Sequence, residues 1–375
     1  MKNWIIGADV SSLLEVERCG GTFYNHGQQN DALTILKEHG VNMVRLRLWN
    51  DPYSPKGEPY GAGSCDLDCV TTLARRAKDL EMDWLLDLHY SDFWADPGKQ
   101  TVPKAWEGLS ELELARAVRA YTAQVLDALK EAGVPPQMVS VGNELSCGLL
   151  WPMGKTPRYD VITRLVSAGV EAVRAFDPSL PVMLHLDNGG NNALYREWFD
   201  NYFANAGADF EYIGLSYYPF WRGTMADLGA NLRDISERYR KKLMIAETSM
   251  GFTMEDYQRY EDLPAEARKG MATRPALVEK IEHPMTPEGQ RAFLRDLIVL
   301  LRNTPRTVGY CWWEPCWLPV PGSQWATPAG CAYVGESGPG GNEWANQALF
   351  DYDGNALPAL EELKKDAQKE DHHGQ

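Results

Sequence analysis

Eight short apolar runs recur along this chain, each separated from the next by a segment with helical periodicity. They are Ile5–Val10 (IIGADV), Met43–Trp49 (MVRLRLW), Asp83–His89 (DWLLDLH) and Met138–Glu144 (MVSVGNE), then Pro181–Asp187 (PVMLHLD), Tyr212–Tyr218 (YIGLSYY), Leu243–Ser249 (LMIAETS) and Val308–Glu314 (VGYCWWE). Apolar runs alternating with amphipathic helices indicate βα units and a parallel sheet. Eight units in 375 residues fit a single (β/α)8 barrel spanning residues 1–375, for which about 250 residues is typical, with the excess placed in loops. A doubly wound sheet is the structural rival. It would normally carry a Gly-rich phosphate loop after the first strand, and ADVSSLLEVERCGG does not match that pattern.

The helices between the runs carry start and stop signals. Ser110 and Glu113 form a capping box before a long periodic segment that Gly133 ends; Asp31 to His39 is amphipathic and closes at Gly40; Thr286 and Pro287 open a helix that stops before Pro305. The long loops fall after strands, at Asn50–Cys69, Tyr90–Leu109, Phe252–His283 and Pro315–Leu349, on the face where barrels build their sites. The tail from about residue 366 is expected to be disordered.

Composition narrows the partners. A net charge of −15 disfavours nucleic acid and anionic membranes, and fits a neutral substrate. No apolar run reaches the roughly eighteen residues of a membrane span. The start MKNWIIGADVSS has no apolar core or cleavage site of a signal peptide, so a cytoplasmic protein is expected, with secretion from a trimmed leader as the alternative. Seven cysteines, an odd number without paired zinc-site spacing, read as thiols in a reducing compartment.

Two runs deliver a carboxylate at their carboxyl ends: Glu144, beside Asn143, in the fourth and Glu247 in the seventh. In a closed barrel both project over the same mouth, where one carboxylic acid can protonate a leaving oxygen while the other carboxylate attacks or activates water. Either glutamate alone would read as a salt-bridge partner for Arg45 or Arg47; the pair favours chemistry. Asn143 fits a hydrogen bond to a sugar hydroxyl. His89 and Asp92 enter the loop after the third strand, and His185 and Asp187 the loop after the fifth, as candidate hydroxyl-binding groups. The two histidines with Asp187 could instead ligate a metal, but no H-x-H follows the first strand. Trp94, Trp221, Trp317 and Trp325 fall in loops on one rim, where aromatic faces can stack on sugar rings.

The stretches VRLRLWNDPY, LLDLHYSDFWADPGKQTVPKAW, VGNELSCGLLWP, LSYYPFWRGT, WWEPCWLPV and NQALFDYDGNALPAL, in order over nearly the whole chain, resemble glycoside hydrolase family 53, the arabinogalactan endo-β-1,4-galactanases. These are retaining (β/α)8 glycosidases. The resemblance implies that Glu144 is the acid/base and Glu247 the nucleophile. It implies that Arg45 holds the nucleophile ionised and so depresses its pKa, that Tyr218 contacts it, and that Trp313 floors the sugar site. The implied substrate is galactan or a galacto-oligosaccharide, and a monomer is expected. Another β-1,4 hexan such as mannan, or a non-catalytic carbohydrate-binding barrel, is the alternative. Many bacterial members carry a longer, acidic, calcium-binding loop after the eighth strand; here that loop has few acidic residues, so no metal or other cofactor is expected.

Overall fold

The computed structural model describes residues 4–221, 223–255, 257, 273, 275–336 and 340–373. Eight parallel strands close into a barrel: β1 (Ile5–Asp9), β2 (Met43–Leu48), β3 (Asp83–Leu88), β4 (Met138–Val141), β5 (Val182–Leu186), β6 (Tyr212–Tyr217), β7 (Lys242–Thr248) and β8 (Thr307–Trp312). Neighbours in sequence are neighbours in space, and β8 pairs β1 with Ile5 opposite Gly309. The helices form where the caps predict. Asp31 accepts from the Thr34 amide at 2.9 Å to start Ala32–Glu38, Ser110 and Glu113 make the reciprocal box before Glu111–Glu131, and Thr286 caps Pro287–Arg302.

The period of two along each strand splits the core into two shells. Val44, Leu46 and Leu48 of β2, with Leu243 and Ile245 of β7, join the large cluster that includes buried helix residues such as Leu126, Val166 and Leu297. Ile5, Met43, Leu85, Met138, Met183, Tyr212, Met244, Ala246 and Cys311 fill the barrel interior. Toward the carboxyl ends the same inward positions become polar and stay buried: Asp9, Arg45, Arg47, Asp87, His89, His185 and Ser216. Apolar burial on both faces stabilises the sheet by about 25 cal/mol per Å². The polar layer above it must therefore be held by internal pairing.

Two expectations change. The chain does not become disordered at residue 366: helix Leu360–His373 continues through it, and Asp366 is buried, accepting from Trp4 Nε1 at 2.8 Å and Arg302 Nε at 2.6 Å. Its charge looked like tail sequence because its partners lie up to 362 residues away. Strand β4 also stops short of Glu144, at Val141. Most of the expected Phe252–His283 loop lies outside the described residues. Among the described residues, no helix is long and apolar enough to cross a membrane.

Candidate active site

Local backbone devices aim the two glutamates. After β4, Gly142 (φ 83°) and Glu144 itself (φ 49°) take left-handed conformations that turn the chain into the short helical turn Leu145–Cys147. Non-glycine residues rarely hold such a φ outside sites where surrounding structure enforces it. Glu247 needs a different device. In β7, Met244 and Ala246 face the barrel interior, so strict alternation would turn Glu247 outward with Leu243 and Ile245. The register with β6 shifts instead, from Leu215 opposite Ile245 to Ser216 opposite Glu247, leaving Ala246 as an extra residue. The register with β8 shifts over the same stretch. This bulge re-aims Glu247 inward.

Both carboxyls are almost fully buried, at 7% and 6% exposure for Glu144 and Glu247. Ser216 links them: its Oγ lies 2.6 Å from Glu144 Oε1, and its backbone is paired with Glu247. Glu247 Oε1 is ion-paired with Arg45 Nη2 at 2.8 Å, and Oε2 accepts from the Tyr218 hydroxyl at 2.8 Å. Arg45 is not its private partner. The same guanidinium bonds Asp9 Oδ2 at 2.6 Å, Asp87 Oδ2 at 2.8 Å and Asn143 Oδ1 at 2.7 Å.

This sharing reverses one expectation. Burial pushes the Glu247 carboxyl above its ordinary range, outweighing Arg45 and the Tyr218 hydrogen bond, and the charges of Asp9 and Asp87 push it further. Arg45 is spread over three carboxylates, so it cannot depress all of them. Asp87 gains most: burial opposes ionisation there, but Arg45 and His89 hold it at about 2. Burial also keeps the Tyr218 phenol protonated and able to donate.

The other candidates divide into groups at the mouth and groups behind it. Asn143 Nδ2 donates to the Ala95 carbonyl at 2.9 Å, which orients Oδ1 toward Arg45 and His185. His185 is fully buried, and burial and Arg45 push its pKa down to about 3. Its Nδ1 lies 2.8 Å from Asn143 Oδ1 and its Nε2 2.8 Å from Ser216 Oγ. His89 Nδ1 accepts from Trp49 Nε1 and the Ala95 amide, which places the proton on Nε2, 2.9 Å from Asp87. Asp187 accepts from Ser146 Oγ in the turn after Glu144.

Asp92 and Trp317 sit behind the mouth rather than in it. Asp92 is fully buried and receives the Lys104 amide at 2.7 Å, Lys104 Nζ at 3.0 Å and the Asp51 amide at 3.0 Å, tying two loops together. Trp317 is fully buried, stacked on Trp344 with its Nε1 bonded to Ser323 Oγ. Loop position alone gave no sign of which face of these residues would be covered.

A line of aromatic rings passes the glutamates. Trp221, at 37% exposure, lies 6.0 Å from Tyr218; Tyr218 lies 6.4 Å from Trp313, and Trp313 6.2 Å from Trp94. Trp94 bonds the Trp325 carbonyl through Nε1 and carries the Arg47 guanidinium 4.4 Å above its ring. Several supports were not singled out as site residues from sequence. Asp9 and Asp87 were readable as inward charges at strand ends, and so was Glu314, which pairs with Arg47 and Ser12. Burial raises Glu314 to about 7 against the pull of Arg47. Gln100, whose Nε2 bonds the Asn143 carbonyl at 2.8 Å, had no sequence signal. Among the described residues, no group of three His, Cys, Asp or Glu side chains could hold a metal ion.

Two buried carboxyls at the mouth of a (β/α)8 barrel, one held by an arginine and a tyrosine and flanked by aromatic rings, define a glycoside hydrolase. The sequence model of glycosyl hydrolase family 53 matches residues 5–363, and the chain belongs to that family. It is 37% identical over 380 residues to the endo-beta-1,4-galactanase of Bacillus subtilis (strain 168), covering 96% of this chain and 85% of that one. It is 38% identical over 378 residues to an uncharacterized protein in the bgaB 5' region of Niallia circulans, covering 98% and 95%. The solved family 53 catalytic domain of Ignisphaera aggregans superposes with a TM-score of 0.87 at 38% identity over 96% of each chain.

Proposed function

We propose that this enzyme is a retaining endo-β-1,4-galactanase acting on galactan or galacto-oligosaccharides. Glu144 serves as acid/base and Glu247 as nucleophile. The observation that carries the assignment is the asymmetry of the pair: Glu247 is ion-paired with Arg45 and accepts a hydrogen bond from Tyr218, whereas Glu144 meets a serine hydroxyl. Donors to the charged form suit a group that must attack as a carboxylate. In the first step Glu247 Oε forms a bond to the anomeric carbon as the glycosidic bond breaks, and Glu144 gives its proton to the departing oxygen. In the second, Glu144 takes a proton from water, the hydroxyl attacks the anomeric carbon, and Glu247 leaves as carboxylate.

Likeness to the Bacillus subtilis endo-beta-1,4-galactanase supports β-1,4-galactan as substrate, and the ring line from Trp221 to Trp94 gives a sugar chain faces to stack on. Linear β-1,4-galactan is expected to release reducing ends with mixed oligosaccharides appearing early, while β-1,4-mannan is cleaved far more slowly. Faster cleavage of mannan would overturn the substrate assignment, and release of a single small sugar from the outset would overturn endo action.

A further inference from the structure

The hydrogen bonds behind Glu144 have a direction that can be worked out atom by atom. Arg45 Nη2 has only hydrogens to offer, so Asn143 Oδ1, 2.7 Å away, accepts. The same oxygen lies 2.8 Å from His185 Nδ1, which must therefore carry a hydrogen and donate. His185 is fully buried within the field of Arg45, where a second positive charge is disfavoured, so it is neutral. A neutral imidazole with its proton on Nδ1 presents Nε2 as an acceptor. Among the described residues its hydrogen-bond partner there, at 2.8 Å, is Ser216 Oγ, which must spend its single hydrogen on it. At 2.6 Å on the other side, Ser216 Oγ then has lone pairs, not a hydrogen, to offer Glu144 Oε1. The hydrogen in that short contact has to come from the carboxyl.

We infer that Ser216, His185 and Asn143 form a one-way hydrogen-bond chain, set by Arg45, that accepts the carboxylic-acid proton of Glu144 and holds this residue in its acid form. Ser216 and His185 are positioning residues: they act through Glu144 and need not touch the substrate. The other groups facing Glu144 fit the same state. The Tyr218 phenol, just after β6, feels the charges of both Glu247 and Glu144, and a carboxylate at Glu247 disfavours a second one nearby. Arg45 pairs with Glu247 directly and reaches Glu144 through this chain, so one guanidinium favours opposite protonation states at the two sites.

The inference rests on the reading of Glu144 as the acid, and the two can be tested apart. In Ser216→Ala the carboxyl loses its acceptor. The basic limb of the kcat/KM–pH profile on galactan is expected to move down by about one pH unit. A galactobioside with a dinitrophenolate leaving group needs no proton in the first step and should show no such move. Ser216→Thr keeps a hydroxyl and should restore the limb. The chain has no such role if the limb stays in place in Ser216→Ala, or if it moves equally for both substrates. Should Ser216→Thr fold poorly, His185→Phe provides the second test: Ser216 is then free to donate to a Glu144 carboxylate, and the limb should again move down. Glu144→Ala separates the two readings, since full turnover of galactan by that variant would remove the acid assignment itself, whatever the Ser216 variants do.

Discussion

Glu247 sits between opposing influences, and its titration should report them. Burial raises its pKa while Arg45 and the Tyr218 hydrogen bond lower it. With the folded value above the ordinary glutamate value of 4.5, the nucleophile gains its proton, and activity falls, as pH drops through that raised value. The acidic limb of kcat/KM is therefore expected above pH 4.5. Tyr218→Phe deletes a donor to the charged form, so the limb should move to higher pH. At mildly acidic pH the variant should lose roughly 10- to 100-fold in kcat/KM, the worth of a hydrogen bond to a charged group. A profile that kept its acidic limb while losing rate at every pH would assign Tyr218 to substrate binding instead.

At the scale of the elements, the most exposed dependence is on the last helix. Leu360–His373 inserts Asp366 beneath the barrel, where it accepts from Trp4, Arg302 and, at 3.3 Å, the Tyr310 hydroxyl. Asp366→Ala leaves the buried Trp4 and Tyr310 donors without this acceptor, and should cost about 1–3 kcal/mol in urea unfolding. An unchanged midpoint would show that water replaces the carboxylate at no cost.

Here the limits of the sequence are physical. The eight strands were legible because apolar runs between capped helices leave few other folds, and the capping residues at Asp31, Ser110 and Thr286 mark helix starts locally. Asp366 was not legible, because its meaning depends on partners 64 and 362 residues away. The glutamates stood out as charges ending apolar runs. The Ala246 bulge that turns Glu247 inward left no mark, since alanine suits a strand with or without it. Nor did the sequence show that Trp317 and Asp92 would be covered, or that His185 would face Ser216 rather than a sugar.

For the whole molecule, closure of the barrel is what makes the chemistry. Arg45 on β2, Asn143 after β4, His185 on β5, Ser216 on β6 and Glu247 on β7 meet only because the sheet closes on itself, with β1 joining β8 to β2. Closure also places the carboxylates of Asp9, Asp87, Glu247 and Glu314 around two guanidinium groups, Arg45 and Arg47. Burial pushes Glu247 and Glu314 up, and the charge of Asp9 adds to it, against the pull of those two guanidinium groups. The central claim for this assembly is a covalent galactosyl ester on Glu247, formed and broken on opposite strokes of the reaction. Proton NMR of the first sugar released from linear β-1,4-galactan measures it directly. Two inversions at the anomeric carbon give a β-anomer first, with the α-anomer appearing only as mutarotation proceeds. An initial α-anomer would mean a single inversion, with Glu247 acting as a general base on water and no ester formed.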